Sequence, residues 1–186
     1  MNNICIFYYD GFAEFEVVIA GLLMRKKNIF STALTREVVV SEEKQKFVVD
    51  KAIGELSVEE VDMFIIPGGN PLFLYENVEL KGFLEALVKA GKLVAGVCGG
   101  AELLAAYGIL DGRRCTGDGE GFKPETDYYK YLDKAIVVSD DVVVDQNVVT
   151  AKGKAFIDFS VRLARIAGAV ENDADELDTA NWLKNL

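Results

Sequence analysis

Short apolar runs alternate along this chain with longer stretches in which apolar positions recur at helical spacing. ICIFYY (4–9) stops at Asp10-Gly11, and AEFEVVIAGLLMRK then places Phe15, Val18, Ile19, Leu22 and Leu23 on one helical face. A strand, a turn and a helix are therefore predicted. IFSTALT (29–35), EVVVS and KFVVD read as further strands, and MFIIPGG (63–69) as a buried strand stopped by proline and two glycines. VELKGFLEALVKAG (78–91) is an amphipathic helix with a C-cap glycine. LVAGVC is another nearly continuous apolar strand, and a helical pattern follows it at once. AIVVSDDVVVDQNVVTAKG (135–153) reads as short strands with a turn near Asp145-Gln146-Asn147, and FIDFSVRLARIAGAV (156–170) as a long helix.

Alternating strand and helix predicts an α/β fold: an open, mostly parallel sheet with helices on both faces. In such sheets the functional crevice lies beyond the carboxyl ends of the central strands. Three loops start there: DGFAEFE after the first strand, PGGNP after MFIIP, and CGGAE after LVAGV. Each by itself is also the glycine-bearing turn that any parallel sheet needs.

Length and composition narrow the reading. A chain of 186 residues, 51% hydrophobic and evenly patterned, is expected to be one domain that buries roughly 70% of its unfolded surface. The formal charge of −10, with no Lys/Arg stripe, argues against nucleic acid or an anionic membrane as partner. No apolar run approaches a spanning helix and the first residues read as a strand, so a cytoplasmic protein is expected. Cys5, Cys98 and Cys115 are odd in number and far apart, which fits free thiols rather than a disulfide framework or a metal site. No histidine occurs anywhere, so imidazole bases and imidazole metal ligands are excluded.

Cys98 stands where strand passes into helix, with Gly96 and Gly100 two residues to either side. That placement suits a strained nucleophile elbow, and a helix N-terminus there would bias the sulfur toward thiolate. The competing reading is a small buried hydrophobe, one of the commonest fates of a free cysteine. Cys5 and Cys115 are assigned to packing, with Cys115 in GRRCTG the one that a fold could bring close to the elbow.

The order and spacing of DGFAEFE, DMFIIPGG, GKLVAGVCGGAELLAAYGILDGRRCTGD and VVVDQNVVTAKGKAFIDFSVRLARIAG resemble the DJ-1/PfpI (ThiJ/PfpI) superfamily from about Ile4 to Gly168. The resemblance implies a flavodoxin-like, three-layer, class I glutamine amidotransferase-like fold, with residues 171–186 as a C-terminal helix. It implies Cys98 as nucleophile, Glu16 as the acid beside its sulfur, and the amides of Gly68 or Gly69 with Gly99 as an oxyanion site. It implies no cofactor and no metal, a homodimer, and a small-molecule electrophilic substrate. In that helix Trp182 and Leu183 are expected to pack on the domain or on a second subunit.

The spacing through AAYGILDGRRCT is most similar to the isonitrile hydratase-like branch, which has histidine where this chain has Asp118 and usually aspartate where it has Glu16. Family proteases have histidine directly after the cysteine, where this chain has Gly99, so peptide hydrolysis is disfavoured. Asp118 is an accessory candidate, as carboxylate base or water-orienter, or simply a loop aspartate in GDGEG. Two functions follow: a Cys98-dependent hydratase, hydrolase or glyoxalase-type lyase, or a redox-responsive or chaperone-like stress protein with an oxidisable Cys98.

Overall fold

The computed structural model describes residues 1–185, so Leu186 of the expected C-terminal helix lies outside the described residues. In chain order the strands are β1 (Asn3–Phe7), β2 (Asn28–Ala33), β3 (Val39–Val40), β4 (Lys46–Phe47), β5 (Lys51–Ala52), β6 (Met63–Ile66), β7 (Leu93–Val97), β8 (Arg114–Cys115), β9 (Ile136–Val137), β10 (Val142–Asp145) and β11 (Val148–Ala151). The α-helices are α1 (Phe15–Leu23), α2 (Val78–Lys89), α3 (Gly99–Ala106), α4 (Phe156–Ile166) and α5 (Asp173–Lys184).

Seven strands form the main sheet in the order β10-β11-β7-β6-β1-β2-β5. Every pairing is parallel except β10 with β11. This is the open, mostly parallel α/β sheet expected from the alternating pattern. β6, β7 and β11 are buried at every position, because a parallel strand covered on both faces has no side left for water. The helices pack in two groups: α1 against α4, which carries α5, and α2 and α3 against β7.

Local signals place the helix ends. The Asn77 side chain accepts the Leu80 amide at 2.8 Å to open α2, and Gly91, with φ of 73°, follows its end. Asn172 caps α5 in the same way, accepting from Asp175 at 3.0 Å. The apolar contact of α5 is made by Ala180 and Leu183 on Val161, Ile19, Leu23 and Ile157, whereas Trp182 stays 60% exposed.

EVVVS and KFVVD do not lengthen the main sheet. Their residues form the two-residue antiparallel pair of β3 and β4, turned by Lys44 at φ 68° and by the Ser41 amide donating to the Gln45 carbonyl. Only Lys51–Ala52, just beyond, joins the edge. At the opposite edge Gln146, with φ of 56°, makes the β10–β11 turn that the sequence placed there.

β2 and β5 continue the sheet on one side of β1, and β6, β7 and β11 on the other. The loops leaving β1 and β6 diverge from that switch point, and β7 lies next to it.

Candidate functional site

Cys98 leaves β7 and precedes α3 with φ 53° and ψ −121°, a conformation that costs a side-chain-bearing residue strain. Its amide donates to the Ala151 carbonyl at 2.9 Å. Strand and helix meet so tightly that a Cβ on Gly96 would lie 2.7 Å from the Gly100 carbonyl oxygen. The turn pushes the Cys98 side chain out of the sheet toward the crevice, as in a nucleophile elbow.

Glu16, in the first turn of α1, is only 2% exposed. Its Oε2 accepts the Gly68 amide at 2.6 Å, and its carboxyl group stands beside the Cys98 sulfur. Gly68 is itself fixed, since its carbonyl accepts from the Tyr9 hydroxyl at 2.6 Å and the Ala13 amide at 2.9 Å. On the other side stands Gly153, after β11. A Cβ there would come within 2.9 Å of Glu16 Oε1 and 3.1 Å of Cys98 Sγ. Backbone therefore closes on the pair from two directions, leaving no room for a side chain at either glycine.

The pair's electrostatics temper the expectation of a ready thiolate. Burial pushes the Glu16 carboxyl up to about 7, and burial together with the Glu16 charge pushes the Cys98 thiol up to about 12. The Gly99 amide, at the N-terminus of α3, favours negative charge on sulfur but is outweighed. The first proton to leave belongs to the pair and leaves near neutrality; the second leaves far higher. In the resulting monoanion the Gly68 amide favours charge on Glu16 and the Gly99 amide favours it on Cys98.

Of the glycines expected to bind an oxyanion, Gly68 spends its N–H on Glu16. It sets the acid rather than facing a ligand. Gly69, with φ of 105°, lines the cleft together with Cys98, and the Gly99 amide faces the sulfur.

Asp118 lies in the same loop cluster but its carboxylate is directed elsewhere. It accepts from the Tyr128 hydroxyl at 2.5 Å and from the Gly119 amide. Its main chain does more for the site: the amide donates to the Cys98 carbonyl at 3.3 Å, and its own carbonyl accepts from Gly153 at 2.8 Å. Held at φ 59°, Asp118 ties the elbow to the loop that closes over it. Beside it Glu102 accepts from the Tyr75 hydroxyl at 3.1 Å, and burial with the Asp118 charge pushes Glu102 up to about 7.

Glu14 is half-buried and accepts from the Ser41 hydroxyl at 2.8 Å. Cys5 and Cys115 are fully buried free thiols in the core.

A cleft of about 760 Å³ opens over Cys98 and Glu16, lined also by Ala13, Phe15, Gly69, Asn70, Gly153 and Phe156, with Glu42, Lys44, Glu120 and Lys154 among its charged residues. A separate hollow of about 390 Å³ between α4 and α5 contains the Arg162–Glu176 ion pair and no nucleophile. Among the described residues no cluster of three or more His, Cys, Asp or Glu is arranged to hold a metal ion, and no helix is long and apolar enough to cross a membrane.

The sequence reading missed Gly153, Glu102 and the tyrosines. Gly153 had a signal, a glycine just past a buried strand at the sheet's carboxyl end. Tyr128 had none, since DYYKY carries no period that places it.

A family model described as the DJ-1/PfpI family matches residues 2–166. The chain belongs to the DJ-1/PfpI family. A glutathione-independent glyoxalase of Caenorhabditis elegans is 29% identical over 141 residues, 74% of this chain and 76% of that protein. A deglycase of Thermococcus kodakarensis is 25% identical over 117 residues, 61% of this chain and 70% of its own. Among solved structures, a DJ-1 superfamily protein of Agrobacterium tumefaciens superposes with a TM-score of 0.82 at 23% identity, covering 100% of this chain and 99% of that one. That likeness fixes the DJ-1/PfpI fold and leaves the chemistry to the site.

Proposed function

We propose that this DJ-1/PfpI protein is a Cys98-dependent, glyoxalase-type lyase that converts a small α-oxoaldehyde and water into a 2-hydroxy acid. The observation that carries the reading is the enclosed Glu16–Cys98 pair: a nucleophile and one proton-carrying group, with the Asp118 carboxylate engaged by Tyr128. A histidine-free site of this kind supports chemistry in which a single acid moves every proton. The names of the nematode and archaeal relatives point the same way.

In this reading the Cys98 sulfur adds to the aldehyde carbon, and a C–S bond forms as the carbonyl π pair moves to oxygen. The Gly69 and Gly99 amides hold that oxygen while Glu16 gives it a proton. Glu16, now a carboxylate, takes the proton from the former aldehyde carbon and returns it to the neighbouring carbon, while the hydroxyl proton of the first carbon passes to the oxygen of the second, which leaves a thioester beside a hydroxyl. One carbon is oxidised and the other reduced, so no external oxidant is needed. Water then cleaves the thioester, releasing the 2-hydroxy acid and the free thiol.

The redox-responsive alternative uses the same sulfur. Burial, which holds the thiol up, works against spontaneous oxidation by peroxide. The test is conversion of methylglyoxal to lactate by the wild type and by Cys98→Ser. Turnover by the wild type and none by the variant is expected. Absence of lactate from wild-type protein whose Cys98 is shown by mass to be reduced overturns the reading.

A further inference from the structure

A three-carbon oxoaldehyde occupies a small part of a cleft of about 760 Å³, a size at which pockets enclose much larger ligands. Part of the remaining wall is aromatic. Phe15 and Phe156 meet edge to face with centroids 5.1 Å apart and an interplanar angle of 89°, and both line the cleft that holds Cys98 and Glu16. Phe15 is 47% exposed, so much of its ring is left open where it lines the cleft.

The backbone explains why these rings stand where they do. Phe15 directly precedes Glu16 at the start of α1, and Phe156 opens α4 three residues after Gly153. The two helices pack on each other. The rings are thus fixed to the same two segments that hold the Glu16–Cys98 pair, so their distance from the sulfur is set by rigid elements rather than a free loop. Besides Glu16, the charged residues of the cleft are Glu42, Glu120, Lys44 and Lys154, with Lys154 and Glu120 paired at 3.2 Å. Away from Glu16 these charges balance in number, so none of them selects a charged tail.

We infer that Phe15 and Phe156 form a specificity shelf, and that the preferred substrates are carbonyl electrophiles whose remote group is aryl or comparably large and apolar. The inference rests on the proposed function only for the role of Cys98 as nucleophile. Burying a phenyl group against two rings supplies enough transfer energy for about a tenfold preference.

Alkylation at Cys98 tests it without requiring turnover. The sulfur displaces iodide, a C–S bond forming as the C–I bond breaks, and the thiol proton passes through Glu16 to solvent. Rates for N-benzyl-iodoacetamide and iodoacetamide are read at the Cys98 peptide by mass and divided by the rates of the same reagents with glutathione. The expected result is about a tenfold preference for the benzyl reagent, reduced several-fold in Phe15→Ala and in Phe156→Ala and partly kept in Phe15→Leu. Phe15→Ala carries the test if Phe156→Ala folds poorly. A ratio equal to that of glutathione, or unchanged in Phe15→Ala, overturns the shelf; a second copy of the chain seated on Phe15 would give that result. Methylglyoxal turnover without aryl preference defeats the shelf alone, and aryl preference without turnover defeats the glyoxalase reading alone.

Discussion

The Glu16 carboxyl and the Cys98 sulfur stand side by side, 2.9 Å and 3.1 Å from where a Cβ on Gly153 would lie, although one group sits in the first turn of α1 and the other just beyond β7. Their contact is the central fact of the site. Each loses water by burial, and each has one backbone amide to hold its charge, Gly68 for the acid and Gly99 for the sulfur.

The rate of Cys98 alkylation by iodoacetamide should therefore follow the pair. A rise with an inflection near 7, where Glu16 gives up its proton, is expected for the wild type. In Glu16→Gln that inflection should vanish and the rate should climb only toward alkaline pH. Oxoaldehyde turnover by the same variant should drop by roughly 10²–10⁴-fold, the range for loss of a general acid–base. A wild-type profile that rises without inflection through pH 9 would contradict the shared proton.

Gly153→Ala is the sharpest steric test, because the added methyl would press on Glu16 Oε1 at 2.9 Å and on Cys98 Sγ at 3.1 Å. Displacement of the pair should cost about a hundredfold in kcat/KM with the fold retained in circular dichroism. Gly21→Ala, inside α1 with nothing within 4 Å of the new methyl, should instead stabilise the protein by about 0.4–1 kcal/mol in urea unfolding. Unimpaired turnover by Gly153→Ala would show that the closing backbone moves freely.

Asp118→Asn separates a chemical role from a main-chain one. The carboxylate is engaged by Tyr128 and Gly119, while the backbone of Asp118 joins Cys98 to Gly153. Asparagine tolerates the φ of 59°, so turnover should stay within about threefold of wild type, far from the loss that removal of a general base brings. A hundredfold loss in kcat with unchanged KM would make Asp118 part of the chemistry.

Glu102 links the site to stability. Its carboxyl is raised from 4.5 to about 7 by burial first and by the Asp118 charge as well. Between those values the native state holds a proton that the unfolded chain has released, so stability from this group is full below about pH 4.5 and is lost as pH approaches 7. Glu102→Gln cannot titrate. The Tm of the wild type relative to this variant should fall between pH 4.5 and 7 and level off above pH 8. A difference that stays constant with pH would place Glu102 in contact with water.

Cys98 was legible because its signal is local: a buried strand, a cysteine, two glycines and a helix follow one another in a single short stretch, and an elbow needs only that. Glu16 became legible only through resemblance to a family, since AEFE offers two glutamates. Helix geometry turns Glu16 inward, where it is 2% exposed, and leaves Glu14 half-buried on Ser41. The strands of β6, β7 and β11 were equally plain from their unbroken apolar runs, whereas KFVVD, read as a strand, is one only at Lys46–Phe47, because a two-residue pairing leaves almost no pattern.

The sequence by itself determined the alternation of strand and helix, the elbow position of Cys98 and the exclusion of imidazole chemistry, because each depends on residue type and near neighbours. Tertiary structure decided what surrounds the sulfur. Gly153 as the second wall, Tyr128 as the holder of Asp118, the commitment of the Gly68 amide to Glu16 and the Phe15–Phe156 pair all join segments far apart in the chain. Burial, too, is a property of the folded assembly, and burial is what moves the first proton of the Glu16–Cys98 pair to near neutrality.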